Sequence, residues 1–386
     1  MSKKNYIKKL ICLALIISIS LLPTLVFAVY SSSYDSLSFT QTNNSYIYSN
    51  NPEKIYSSYL KNGIGAYTIK VKLTANKSYD VEYSHANYSG VPLTVAVILT
   101  NKGPGSATIT KMNNSSAANG SYYVMGSAVE TEYWSTAKYS TKDLNAGTSE
   151  IYLRSDLNSA NASAGVGKIL LKANTSNVEC KVVIFKTGTS LATVLGLPVF
   201  DCMNTGSSNG SGTGKATGTG LYGHDGRMAT FDYNTSVYKS FYLDCFSDYV
   251  SKYNENEFEI PDQYLPYSGW QSNAPQVSPR PPVSPGLLQG SYGIMYNIIM
   301  KNAANKTLYL VPDWDNITYN NYQFYTIRDP YTSTWKTVSV QKPGYISIKL
   351  PNSTSFGFNW VLAADDCGML YCTFNKPTTG TAYPAN

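Results

Sequence analysis

Period-two alternation of apolar and polar residues dominates the chain. Tyr67, Ile69, Val71 and Leu73 alternate with Thr68, Lys70 and Lys72, which predicts a half-buried strand. The clearest strand pair follows in YDVEYSHANYSGVPLTVAVILTN, Tyr79 to Asn101. In its first half Tyr79, Val81, Tyr83 and His85 share one face, and Asp80, Glu82 and Ser84 share the other. Ala86 to Gly90 supply turn chemistry. In the second half Val91, Leu93, Val95, Val97 and Leu99 line one face while Ala96 and Ile98 occupy the other, the pattern of a central strand covered on both sides. Pro92 stands at its start, where a missing N–H does least harm.

Further strands are expected at Thr108 to Met112, Glu150 to Arg154, Val166 to Lys172 and Val178 to Phe185. A second set runs through Val237 to Leu243, Gly293 to Met300, Leu308 to Val311, Tyr322 to Ile327, Thr334 to Val340, Tyr345 to Leu350, Phe356 to Leu362 and Met369 to Phe374. From Phe241 onward Cys245, Phe246, Tyr249 and Val250 fall at helical spacing and predict a short helix. Short strands divided by Asn, Gly and Ser clusters suit β-sandwiches better than alternating β and α units. The expected fold is all-β, with two antiparallel β-sandwich-like domains at 29–190 and 195–386. The second carries a Gly/Ser/Thr-rich stretch at 204–220, read as a loop rather than a linker, and a proline-rich loop at 261–286 that cannot be regular strand.

The first 28 residues stand outside this pattern. Lys3, Lys4, Lys8 and Lys9 precede an apolar run, Leu10 to Leu22, and Val26-Phe27-Ala28 offers small residues for cleavage. This is the layout of a secretory signal peptide, so the mature chain is expected to start at Val29, to be secreted and to have no transmembrane segment. A membrane anchor would need a longer run without Pro23.

Composition supports strands: the chain has 34 Tyr and only 14 % charged residues. Much of its formal charge of +6 belongs to the leader lysines, so nothing implies nucleic acid as a partner. Of six cysteines, Cys12 lies in the leader. The odd number remaining, Cys180, Cys202, Cys245, Cys367 and Cys372, leaves at least one outside any intrachain disulfide. Cys180 shares the face of Val178, Val182 and Ile184 and reads as a buried, inert thiol.

Several stretches, in order, carry a resemblance: Asn51-Pro52-Glu53, His85-Ala86-Asn87, Leu99-Thr100-Asn101, HDGRMATF at His224 to Phe231 and QGSYGIMY at Gln289 to Tyr296. Together they resemble a secreted family of Gram-positive bacteria and some cyanobacteria whose members often carry an added stalk like the N-terminal domain of copper amine oxidases. The resemblance implies no catalytic residues, because the family has no assigned activity. The stalk is absent here. Around Pro312-Asp313-Trp314-Asp315, where relatives tend to show an arginine and paired glycines, this chain is acidic and aromatic.

The candidate chemistry is sparse. There are two histidines, His85 and His224, too few for the usual copper or zinc site without further ligands. His85 reads as a hydrogen-bonded core residue. No Gly-x-Ser-x-Gly elbow supports a Ser-His-Asp site around His224 with Asp225 or Asp232. No cofactor is expected, although Asp313, Asp315 and Asn316, or Asp365 and Asp366, carry oxygens that could take calcium. The sharpest binding hypothesis is the aromatic cluster of Trp314, Tyr319, Tyr322 and Tyr325 beside Asp313 and Asp315, where flat rings could stack on sugars. The competing account is that the tyrosines are half-packed strand residues. The expectation is a secreted, non-catalytic cell-surface or matrix protein that could bind cell-wall or extracellular polysaccharide. Its rivals are a secreted glycan hydrolase using paired carboxylates and a structural spacer without ligand.

Overall fold

The structure, a computed structural model, describes residues 34–35, 37–41, 44–50, 52–160, 163–199, 219–222, 225–243, 293–312, 314, 321–363, 370–378 and 380–384. The expected leader, the 204–218 part of the Gly/Ser/Thr-rich stretch, the proline-rich segment and the expected helix beyond Leu243 lie outside these residues. The fold is all-β and sandwich-like, as the alternation predicts. Its strands form four sheets that face each other in two pairs.

The first pair combines a seven-stranded and a four-stranded sheet. The larger runs Thr219–Tyr222, Ser45–Ser49, Ser78–Tyr88, Ser163–Ala173, Ala107–Gly120 and Ser140–Leu144, with Lys54–Tyr56 also paired to Ser78–Tyr88. The smaller runs Gly65–Lys72, Val178–Lys186, Leu93–Asn101 and Ser149–Leu157, antiparallel throughout. Leu93–Asn101 is an inner strand with every residue buried. Val95, Val97 and Leu99 enter the core between the two sheets, and Ala96 and Ile98 pack on the outer side with Val194 and Leu197. Both faces are covered, as the paired apolar pattern requires.

The second pair combines a six-stranded and a five-stranded sheet. The former runs Thr40–Gln41, Gly226–Asp232, Met295–Lys301, Ser355–Val361, Tyr322–Arg328 and Trp335–Gln341. The latter runs Ser240–Leu243, Leu370–Thr373, Thr307–Pro312, Tyr345–Lys349 and Ala382–Pro384. Ile298, Met300, Phe358 and Trp360 meet Leu310 and Ile348 in its core.

Two departures from the expected organisation matter. First, the two units do not split cleanly at residue 190. Thr40–Gln41 pairs with Gly226–Asp232 in the second unit, and Thr219–Tyr222 pairs with Ser45–Ser49 in the first. Gly220, the end of the presumed loop, is therefore strand in the first unit. Second, the alternation gives no hint of the helix Tyr122–Ser135. It follows Ala107–Gly120 directly and is wedged between the seven-stranded sheet and the strands Tyr322–Arg328 and Trp335–Gln341. Its Ser127 carbonyl accepts from the hydroxyls of Thr326 and Thr337, and Trp134 stacks on Trp335 at 5.5 Å.

Candidate functional site

The pleat sorts the larger sheet of the first unit into two unlike faces. Ile47, Val81, Tyr83, Ile169 and Leu171 point into the first core. The residues between them point the other way, toward the helix and the second unit. Register lines these up in rows: Tyr46 pairs with Asp80, Tyr48 with Glu82, and Glu82 with Lys168 across the next strand. The expectation of a polar face holds in chemistry but not in exposure. Lys168 and Asp80 are 0 % exposed, and Glu82 and Glu130 are 1 % exposed.

Lys168 is the centre of this face. Its Nζ donates to Glu130 Oε1 and Oε2 at 3.0 and 3.1 Å and to the Gly293 carbonyl at 2.7 Å. It lies 3.2 Å from Glu82 Oε2 and 3.5 Å from Asp80 Oδ2. Tyr46, Tyr133 and Trp134 wall the ammonium with ring centroids at 5.7, 5.0 and 5.4 Å. Tyr46 donates to Glu82 Oε2, and the Trp134 indole N–H donates to Glu130 Oε2, each at 2.8 Å. Three elements of the first unit, the helix and one glycine of the second unit thus converge on one nitrogen.

Charge counting decides the protonation of the cluster. One buried ammonium faces three buried carboxylic acids, with Asp225 near enough to add to their repulsion, and an uncompensated buried charge costs several kcal/mol. Acid protons must therefore be retained. Burial pushes the Asp80 carboxyl up to about 8, with Lys168 pulling against it and Asp225 and Glu82 adding to the rise. Burial also raises Glu130, against the attraction of Lys168. For Lys168 burial acts downward, but attraction to the Asp80, Glu130 and Glu82 carboxyl groups outweighs it and holds the ammonium above the usual lysine range. An ammonium has three N–H donors. They go to the two oxygens of Glu130 and the Gly293 carbonyl, while Glu82 and Asp80 are ion-pair neighbours. The Tyr133 hydroxyl beside Asp80 acts against the rise of its carboxyl.

A second buried polar chain lies inside the first core. His85 Nδ1 is 2.7 Å from the Pro52 carbonyl, which can only accept, so Nδ1 carries the hydrogen. Nε2 then accepts from Ser49 Oγ at 2.9 Å, and Ser49 Oγ lies 2.6 Å from Thr68 Oγ1. Burial pulls His85 down to about 4, opposed by the Pro52 hydrogen bond. The Ser–His contact has the distance of a nucleophile and its base, but both residues are fully buried. It is the satisfied core histidine that the strand pattern predicts. Cys180 is likewise a buried free thiol, pushed up by burial to about 12.

The expected aromatic ligand cluster does not assemble as one exposed face. Trp314 is 7 % exposed, sits in the second core and donates its indole N–H to the Gly344 carbonyl. Tyr325 is fully buried in the same core. Both are corrected from ligand-facing to core: apolar surface of this size gains more from burial than a loop would allow. Tyr322, at 46 %, does present a ring outward. Asp313, Asp315, Tyr319, Asp365, Asp366 and His224 lie outside the described residues, as do Cys202, Cys245 and Cys367. Among the described residues no group of three or more His, Cys, Asp or Glu is arranged to hold a metal, and no helix is long and apolar enough to cross a membrane.

The Lys168 cluster was missed in the sequence. Its signal was a lysine in the middle of the apolar run Val166 to Leu171, paired with two acids spaced by one residue on a strand that is otherwise core-like. Glu130, on an unrecognised helix, carried no such mark.

No protein-family model and no curated protein matches the chain. Among solved structures, the crystal structure of dimeric latent PorU from Porphyromonas gingivalis is similar at 10 % identity over 90 % of this chain, with a TM-score of 0.14. The crystal structure of Fet3p, a multicopper oxidase that functions in iron import, is similar at 10 % identity over 89 %, with a TM-score of 0.15. The chain spans 21 % of the first protein's length and 64 % of the second's. Likeness at this level carries no argument about function.

Proposed function

We propose that the chain is a secreted, non-catalytic structural protein of the cell surface or extracellular matrix, in which two sheet pairs act as one stiff body. The observation that supports this reading is the position of the Lys168 cluster. Four buried ionisable side chains, Lys168, Asp80, Glu82 and Glu130, are sealed between the units, where they join them and meet no solvent. A glycan hydrolase needs two carboxyl groups flanking a sugar, about 5–10 Å apart across an open cleft. Asp80, Glu82 and Glu130 are near one another but no sugar reaches them. Secretion is supported by the basic and apolar pattern of residues 1–28.

Glycan binding is the second reading, supported now by the exposed ring of Tyr322 rather than by Trp314. One experiment addresses both. The purified chain is incubated with cell-wall and extracellular polysaccharides, and both co-sedimentation and released reducing ends are measured. The structural reading expects no released ends. Release that disappears in Glu130→Gln would overturn it in favour of a hydrolase. Retention that falls in Tyr322→Ala without loss of stability would add a glycan ligand.

A further inference from the structure

We propose that Lys168 and Asp80 condense with each other to form an intramolecular amide cross-link between the strands Ser163–Ala173 and Ser78–Tyr88. Those strands are adjacent and antiparallel, with Lys168 opposite Glu82 and Asp80 one pleat along on the same face. The reacting groups are therefore held together by the sheet itself. Such fixed proximity replaces a bimolecular encounter with an intramolecular one. The Lys168 nitrogen already lies 3.5 Å from Asp80 Oδ2 in a site without water access.

The three acids are not equivalent as electrophiles. Glu130 accepts from Nζ through both oxygens, which places the amine at the carboxyl edge rather than over its face. Glu82 Oε2 is occupied by the Tyr46 hydroxyl. Asp80 is close to the nitrogen yet takes none of its N–H groups, which go to Glu130 and the Gly293 carbonyl, so its carbonyl carbon is the one left open to attack, with the Tyr133 hydroxyl beside its carboxyl. Retention of its proton, favoured by burial, removes the negative charge that would repel a nucleophile.

The step balances within the cluster. The ammonium passes one proton to Glu130 and becomes a neutral amine, leaving the total charge unchanged. The amine attacks the Asp80 carboxylic carbon, and the C–N bond forms. A second nitrogen proton goes to the Asp80 hydroxyl, the C–O bond breaks, and water leaves. The amide retains the third hydrogen, and Glu130 ends protonated. No oxidant, metal or cofactor is required. Glu130 is the general base, and Glu82 is placed to stabilise the nitrogen as its charge changes. The aromatic wall of Tyr46, Tyr133 and Trp134 excludes the water that would favour the ionised pair.

Mass spectrometry of the purified full chain under denaturing conditions tests this. The expected mass is one water below that of the sequence from the same N-terminus. Tryptic digestion should give a branched peptide joining the segment with Asp80 to the segment with Lys168. Glu130→Gln and Asp80→Ala should each restore the full mass, and Glu130→Gln should keep the strand signature in circular dichroism. The wild-type mass decides the matter even if a variant fails to fold. A wild-type chain that keeps its full mass after prolonged incubation in the folded state overturns the proposal. So does a branch that maps to Glu82 or Glu130, or a water lost at any other site.

Discussion

Single residues show what alternation can and cannot reveal. Trp314 has the sequence context of a ligand-facing aromatic, with acidic neighbours on both sides, yet its ring is packed in the second core and its N–H is satisfied by the Gly344 carbonyl. Trp314→Ala is therefore expected to cost about 3–5 kcal/mol, as large-to-small core changes do. A melting curve checks this, and an unchanged midpoint would return Trp314 to the surface. His85 is the opposite case, legible from its place on a Tyr/Val face. Its pKa near 4 in the fold, below an unfolded value of about 6.5, means that the unfolded chain binds the extra proton. The contribution is complete above about pH 6.5 and is lost as pH falls toward 4, by about 2–4 kcal/mol in total. Urea unfolding across that window should show the loss, and His85→Phe should flatten it, although the variant is less stable because Ser49 and the Pro52 carbonyl lose their partner.

At the level of elements the period-two signal performed well because strands are regular and their faces differ. Most expected strands are present, and the ends differ by a few residues where turns and bulges intervene. The helix Tyr122–Ser135 escaped because its sequence, YYVMGSAVETEYWS, has no single apolar stripe. The reason is packing on more than one side. Met125 and Val129 contact the first unit near Val166, Ser127 and Thr131 contact the second, and Glu130 and Tyr133 reach the Lys168 cluster. A helix clasped between two bodies does not show the one-sided pattern of a surface helix. The Leu93–Asn101 strand was legible for a related reason: both of its faces are apolar and both are covered. Val97→Asp places a carboxylate in the first core without a partner and is expected to destabilise the chain by about 3–5 kcal/mol, or to leave it unfolded. Thermal unfolding at wild-type temperature would show that this strand is not central.

The whole molecule is organised by what joins its two sheet pairs, and little of that was legible, because contacts between distant segments leave no local period. The exchanged strands Thr40–Gln41 and Thr219–Tyr222 tie each unit to the other's sheet, and the helix fills the space between. Gly293 completes the seal. It adopts φ +70°, its carbonyl accepts from Lys168, and a Cβ at this position would overlap Glu82 Oε2 and the Tyr46 hydroxyl. Gly293→Ala should therefore act at the junction, where Tyr46 borders the second core. The backbone conformation alone costs about 1–2 kcal/mol with a side chain, and the overlap pushes the second unit away from the Lys168 face. In calorimetry the wild-type chain should melt as one cooperative unit. Gly293→Ala should lower the midpoint and separate the melting of the two units, with new proteolytic cleavage in the segments that cross between them. A single transition at the wild-type temperature would mean that the junction does not couple the units. The cross-strand bond proposed for Lys168 lies within the first unit, so its presence would stiffen that unit without masking the separation.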